Sequence, residues 1–115
     1  MAYFMLRFDP SLKQSDKYWN QKTAILGRDN TKTSDLHKNF CGVGTQKSTS
    51  REHASISWNP SRNCWDMKVL GKKGIWSHNR HYKKDYIISL SIDRPTPIKM
   101  GNTRFYFCPA RPPHH

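Results

Sequence analysis

Short apolar runs alternating with period two constrain this chain more than any other feature. Ala2, Phe4, Leu6 and Phe8 share one face of a first run, and Tyr3, Met5 and Arg7 face the other way. The same alternation recurs in Ala54/Ile56/Trp58, Trp65/Met67/Val69, Tyr86/Ile88/Leu90 and Phe105/Phe107. Thr23-Ala24-Ile25-Leu26-Gly27 is a compact apolar run closed by glycine. Successive side chains of a strand point to opposite faces, so each run predicts a half-buried strand. No long stretch carries apolar residues at i, i+3, i+4 and i+7 between good helix formers, which argues against amphipathic helices. Turn chemistry separates the runs: Asn59-Pro60-Ser61-Arg62-Asn63, Gly71-Lys72-Lys73-Gly74 and Met100-Gly101-Asn102. Many short strands with such punctuation predict an all-β sandwich or barrel.

Two segments fit no strand. Lys13 to Lys22 is polar and reads as a loop. Asp29 to Thr49 reads as a long, irregular loop, a type that is usually functional in a compact domain. The segment from Pro109 cannot pair as a central strand, because proline lacks the N–H donor. Residues 1–109 are therefore expected to form one domain and residues 110–115 a disordered tail. The closing His114-His115 reads as a purification-tag remnant.

The size, 115 residues, suits a single domain. Only 35% of residues are hydrophobic, so the core must lean on its four Trp, five Tyr and five Phe. No run is long and apolar enough to predict a membrane-spanning helix, and the N-terminus lacks the shape of a signal peptide. Three widely spaced cysteines fit a reducing compartment better than a disulfide framework. Twenty Lys and Arg stand against eight Asp and Glu, a formal charge of +12. Such an excess favours anionic partners and says nothing of the fold.

Catalytic patterns are weak. His37…Cys41 and His78…His81 lack the company of a metal site, and no C-x-x-C or H-E-x-x-H occurs. Ser50 and His53 are too close along one strand entrance to form a Ser–His catalytic pair, and no G-x-S-x-G elbow surrounds Ser50. Acids are too few for paired-carboxylate chemistry to stand out. No enzyme activity, cofactor or metal is expected. Anion binding has better support. Gly27-Arg28 closes an apolar strand, Ser48-Thr49-Ser50-Arg51 precedes the Ala54–Trp58 strand, and Lys72-Lys73-Gly74 fills a glycine-bounded turn. Arginine presents a planar fork of donors matched to phosphate oxygens. Loops at one end of a sandwich converge, so three short sequences can build one phosphate pocket. Residue types alone fit solvated turns equally well.

The order of these pieces resembles the forkhead-associated (FHA) domain, a reader of phosphothreonine peptides. Its pattern is a strand ending Gly-Arg, then Ser-x-x-His opening a strand, then a turn usually written Asn-Gly. Here the pieces are Leu26-Gly27-Arg28, Ser50-Arg51-Glu52-His53 and Gly71-Lys72-Lys73-Gly74-Ile75. Met67-Lys68-Val69-Leu70-Gly71-Lys72-Lys73-Gly74-Ile75, with Ile98-Lys99-Met100-Gly101 and Phe105-Tyr106-Phe107, is similar to FHA domains attached to fork-head-type transcription factors and their relatives.

The resemblance implies an eleven-stranded β-sandwich that binds a phosphothreonine protein through loops at one end. It implies phosphate contacts from Arg28, Ser50, Arg51 and Lys72, and peptide contacts from Thr49, Lys73 and Asn79. Gly27, His53 and Gly74 take structural roles, His53 by hydrogen-bonding the loops together. It further implies a monomeric module in a nuclear, transcription-related protein, with no membrane partner. Lys73 stands where the family usually has Asn. Lysine only donates, whereas the Asn amide also accepts, so two-way pairing with a peptide backbone is lost at that position. Two alternatives stay open: a basic nucleic-acid-binding domain, and a protein-docking scaffold with weakened phosphate recognition.

Overall fold

The computed structural model describes residues 2–110 and 113. Its eleven strands are β1 (Phe4–Phe8), β2 (Lys17–Trp19), β3 (Thr23–Gly27), β4 (Phe40–Gly42), β5 (Ala54–Asn59), β6 (Cys64–Val69), β7 (Ile75–Ser77), β8 (Arg80–Tyr82), β9 (Ile87–Leu90), β10 (Thr96–Met100) and β11 (Thr103–Pro109). They form a six-stranded sheet, β2-β1-β11-β10-β7-β8, and a five-stranded sheet, β4-β3-β5-β6-β9. The architecture is the expected all-β sandwich.

The alternating runs bury their predicted faces. Phe4, Leu6 and Phe8 of β1, Trp65, Met67 and Val69 of β6, and Phe105 and Phe107 of β11 all point into the space between the sheets. Trp65 is the centrepiece: Phe4 meets it edge-on at 5.1 Å, Trp58 at 5.3 Å and Phe107 at 6.3 Å between ring centroids. Large rings thus compensate for the modest apolar content.

The polar segments contain more order than expected. Within 13–22, Lys17–Trp19 pairs with β1, Tyr18 opposite Met5. Only Trp19 of this edge strand is even half-buried, so it has no apolar face to betray it. Within 29–49, a helix α1 (Thr31–Leu36) begins at Asn30, whose side chain accepts from the Thr33 amide at 3.2 Å. Thr33 is its one buried residue, so no apolar stripe marks it. β4 then runs parallel to β3, with Leu26 opposite Cys41 and Gly27 opposite Gly42.

Two further expectations are corrected. Tyr86 is exposed rather than inward-facing, because β9 begins one residue later and Tyr86 closes the preceding turn, its amide donating to the Lys83 carbonyl at 3.1 Å with Asp85 at φ +75° inside it. Pro109 does pair, opposite Phe4 in β11. The Ala110 amide donates to the Tyr3 carbonyl, and β10 begins only at Thr96 opposite Phe107. The missing N–H of Pro109 therefore interrupts no ladder. Of the expected tail, Ala110 is held by that bond and Pro113 is buried; the disorder expected for 111, 112, 114 and 115 lies outside the described residues.

Candidate functional site

The end of β3, the entrance to β5 and the β6–β7 turn meet at one histidine. His53 is 0% exposed. Its Nδ1 accepts from the Ser50 amide at 3.0 Å, and its Nε2 lies 2.8 Å from the Gly74 carbonyl. A carbonyl can only accept and an amide only donate, so the ring is assigned as the neutral tautomer with its proton on Nε2. Burial lowers its pKa, the nearby charge of Lys73 adds to that effect, and the bond to Gly74 opposes it. The backbone of His53 completes the junction: its amide donates to Leu26, and its carbonyl accepts from Leu70 at 2.9 Å and Gly71 at 3.1 Å.

Each neighbouring residue has a local reason for its place. A Cβ on Gly27 would run into the Arg51 carbonyl, so only glycine lets the β3 end lie against the Ser50–Arg51 backbone. That contact brings Arg28 beside Ser50: the Arg28 amide donates to the Ser50 carbonyl at 2.9 Å. Arg28 is half-buried as a residue, and its guanidinium touches the Lys47 carbonyl through Nη1 at 3.3 Å in an exposed contact, which aims it without consuming its other donors. The half-buried Ser50 uses its backbone to hold the junction, while its hydroxyl has no hydrogen-bond partner among the described residues. Arg51, Lys72 and Lys73 are exposed around this junction. Gly74 turns at φ +77°, a conformation that costs other L residues, and its amide closes the turn onto Gly71 at 3.0 Å. The cluster therefore offers one hydroxyl and several cations over loops fixed from below, a surface suited to an anion with several oxygens.

The structure separates two residues from this group. Thr49 is 1% exposed, and its hydroxyl lies 2.9 Å from the Met100 carbonyl and 2.8 Å from Thr103 Oγ1. It ties the Ser50 loop to the β10–β11 turn and presents nothing to a peptide. Asn79 occupies the two-residue turn of the β7–β8 hairpin, at φ +63° after His78 at φ +51°. Two consecutive positive φ values make the tight turn that suits strand twist. β7 carries this turn roughly 10 Å beyond Gly74, so Asn79 stands apart from the loop cluster.

Several supports carry no motif. Ser48 Oγ accepts from the Asn102 amide at 2.7 Å, Asp29 Oδ1 accepts from Gly44 at 3.3 Å, and His81 Nε2 lies 2.8 Å from the Lys73 carbonyl. These partners are 54, 15 and 8 residues apart along the chain. The turn residues at each end were the available signal, and the pairing itself exists only once the sheets have formed.

No family model and no curated protein matches the sequence. Solved structures do. The FHA domain of the CT664 protein from Chlamydia trachomatis is 21% identical, with a TM-score of 0.68 over 93% of this chain and 97% of that one. The fold is that of the FHA domain. The N-terminal FHA domain of Saccharomyces cerevisiae Rad53p, solved with a phosphothreonine peptide, has a TM-score of 0.73 at 11% identity, covering 96% of this chain and 94% of that chain. Mycobacterium tuberculosis EmbR, solved with a low-affinity phosphopeptide, matches all of this chain at 18% identity and a TM-score of 0.69; the match spans 26% of its own length. In this FHA fold the His53 junction lies where β3, β5 and the β6–β7 turn come together.

Proposed function

We propose that this domain is a monomeric recognition module for phosphorylated peptides, with phosphothreonine as the preferred residue. The observation that carries the proposal is that Ser50, whose hydroxyl has no hydrogen-bond partner among the described residues, is joined through its backbone to Arg28 on loops that His53 holds together. The FHA fold, and the phosphopeptides bound to Rad53p and EmbR, support the same reading. Arg28 supplies a fork of donors to the phosphate, Ser50 donates its hydroxyl, and Arg51 and Lys72 add charge. Lys73 attracts acidic flanking residues. No bond is made or broken.

A phosphothreonine carries about −1.5 to −2 charges at neutral pH. Each charge-assisted hydrogen bond contributes roughly 1.5–3 kcal/mol, against association costs of ~4–15 kcal/mol. A short peptide should therefore bind at about micromolar strength or weaker, and less tightly as salt rises. The test is a degenerate peptide array in phosphothreonine, phosphoserine and unphosphorylated forms at physiological salt. Phosphothreonine-selective binding that disappears in Arg28→Ala supports the module. Equal binding of every anionic peptide, indifferent to Arg28, rejects it and means that the +12 charge is being read instead, which favours the basic nucleic-acid-binding alternative.

The likeness to domains attached to fork-head-type transcription factors extends the proposal to a nuclear, transcription-related parent protein. A fluorescent fusion of that protein excluded from the nucleus would contradict this extension.

A further inference from the structure

The outer face of the six-stranded sheet carries an arrangement that the loop cluster does not use. Across β11, β10, β7 and β8, the register aligns Arg104, Lys99, Trp76 and His81 in one row. The next row on the same face aligns Arg7, Tyr106 and Pro97. Trp76 is 46% exposed and Tyr106 51% exposed, while their strand neighbours Ile75, Ser77, Phe105 and Phe107 are buried. The Trp76 ring is steadied by His81, with ring centroids 4.9 Å apart. Trp76, Tyr106, Lys99 and Arg104 line a single open groove of about 830 Å³. Adjacent strands lie ~4.8 Å apart, so Lys99 sits one strand from Trp76, and Arg104 sits on the same strand as Tyr106, one turn of the pleat away.

Two exposed aromatic faces with cations interleaved between them match the needs of a particular ligand. Nucleobases offer flat π faces that stack on indole and phenol rings, and the connecting phosphates need cations at the spacing between the bases. The +12 charge of the chain supplies complementarity at longer range. Among the described residues Asp9 is the one acid lining the groove; its carboxylate accepts from the Ser11 amide and hydroxyl and stays charged, but Lys99 and Arg104 outnumber it, while Arg7 is paired with Asp16 at 3.1 Å. A duplex keeps its base faces stacked inside, and an acidic peptide has no bases to stack. We infer that this sheet face binds single-stranded nucleic acid, its bases stacking on Trp76 and Tyr106 and its phosphates meeting Lys99 and Arg104. The inference is independent of the phosphopeptide reading, although β7 joins the two surfaces.

The test is fluorescence anisotropy at physiological salt, with fluorescein-labelled oligouridine and oligothymidine of about twelve nucleotides, within the span such surfaces cover. An abasic strand with the same number of phosphates serves as the charge-only probe. Both base-bearing strands should bind at least about fivefold more tightly than the abasic one. Trp76→Ala and Tyr106→Ala should each weaken them by about 5- to 150-fold and leave abasic binding unchanged. Trp76→Phe, which keeps a ring, should retain most of the binding and so separates stacking from misfolding. The double variant Lys99→Ala/Arg104→Ala should weaken all three strands and reduce the salt slope by about 1.4. Arg28→Ala, which removes phosphopeptide binding, should leave the preference for base-bearing over abasic strands unchanged. Equal binding of base-bearing and abasic strands would overturn the inference. So would loss of binding in Arg28→Ala, which would put the strand in the loop cluster, and so would displacement by polyglutamate at equal charge, which would make the face a dock for acidic proteins.

Discussion

Replacing His53 with alanine removes the group on which the three loops converge. The imidazole is wholly buried, so its loss opens a cavity at the junction. It also leaves the Ser50 amide without an acceptor and the Gly74 carbonyl without a donor. An unsatisfied buried polar group costs ~1–3 kcal/mol, and truncating a buried ring costs ~3–5 kcal/mol in apolar cores. Ser50 is only half-buried and water can reach its amide, so the combined effect is set at about 3–5 kcal/mol. Over 115 residues, ~2.1 cal/mol/K per residue gives an unfolding entropy of about 0.24 kcal/mol/K and a fall in Tm of about 12–20 °C. Domains of this size have ~5–15 kcal/mol in hand, so the variant should still fold in the cold. Circular dichroism melts measure the fall, and calorimetric titration with a phosphothreonine peptide at low temperature should show binding weakened along with it. A variant melting within about 3 °C of the parent would refute the junction as the source of loop order.

The remaining expectations concern neighbouring groups. Lowering the pH should destabilise the domain through His53: its folded pKa lies below the ordinary 6.5, so its contribution is fully present above 6.5 and is lost as the pH falls from there through the lowered value. A Tm-against-pH curve whose slope below 6.5 is the same in His53→Ala would contradict this. Thr49→Val should lower stability by about 1–3 kcal/mol through the Met100 and Thr103 bonds and leave peptide affinity unchanged; weakened titration with an unaltered melt would show that Thr49 reaches the ligand. Ser77 Oγ is buried without a hydrogen-bond partner among the described residues, so Ser77→Ala should raise Tm by roughly 4 °C for each kcal/mol of relieved desolvation. A lower Tm in that variant would mean that the hydroxyl has a partner.

What could be read from the sequence follows the length and burial of each element. β1, β5, β6 and β11 are 5–7 residues long and carry two or three buried positions each, enough for alternation to be visible. β2, β4, β7 and β8 have three residues each, too few to show a period. The β7–β8 turn uses His78-Asn79 with no glycine, so the usual mark of a tight hairpin is missing. At the loop cluster, Gly27, Arg28, Ser50, His53 and Gly74 fall together because each stands at a strand end that the sandwich brings to one side. Thr49 and Asn79 do not, since proximity in sequence to Ser50 or Gly74 says nothing about which way a side chain turns. The aromatic face is hidden for a related reason: its residues come from five strands and only their register aligns them.

The central claim is that Arg28 and Ser50 hold a phosphate on loops joined by His53. Its most direct test is an amide NMR titration of the labelled domain with a phosphothreonine peptide. The account predicts shifts concentrated at 27–28, 48–51 and 71–74, absent with the unphosphorylated peptide and lost in Arg28→Ala and Ser50→Ala. Shifts spread over the surface lysines, or centred on Trp76 and Tyr106 and unchanged in both variants, would contradict it.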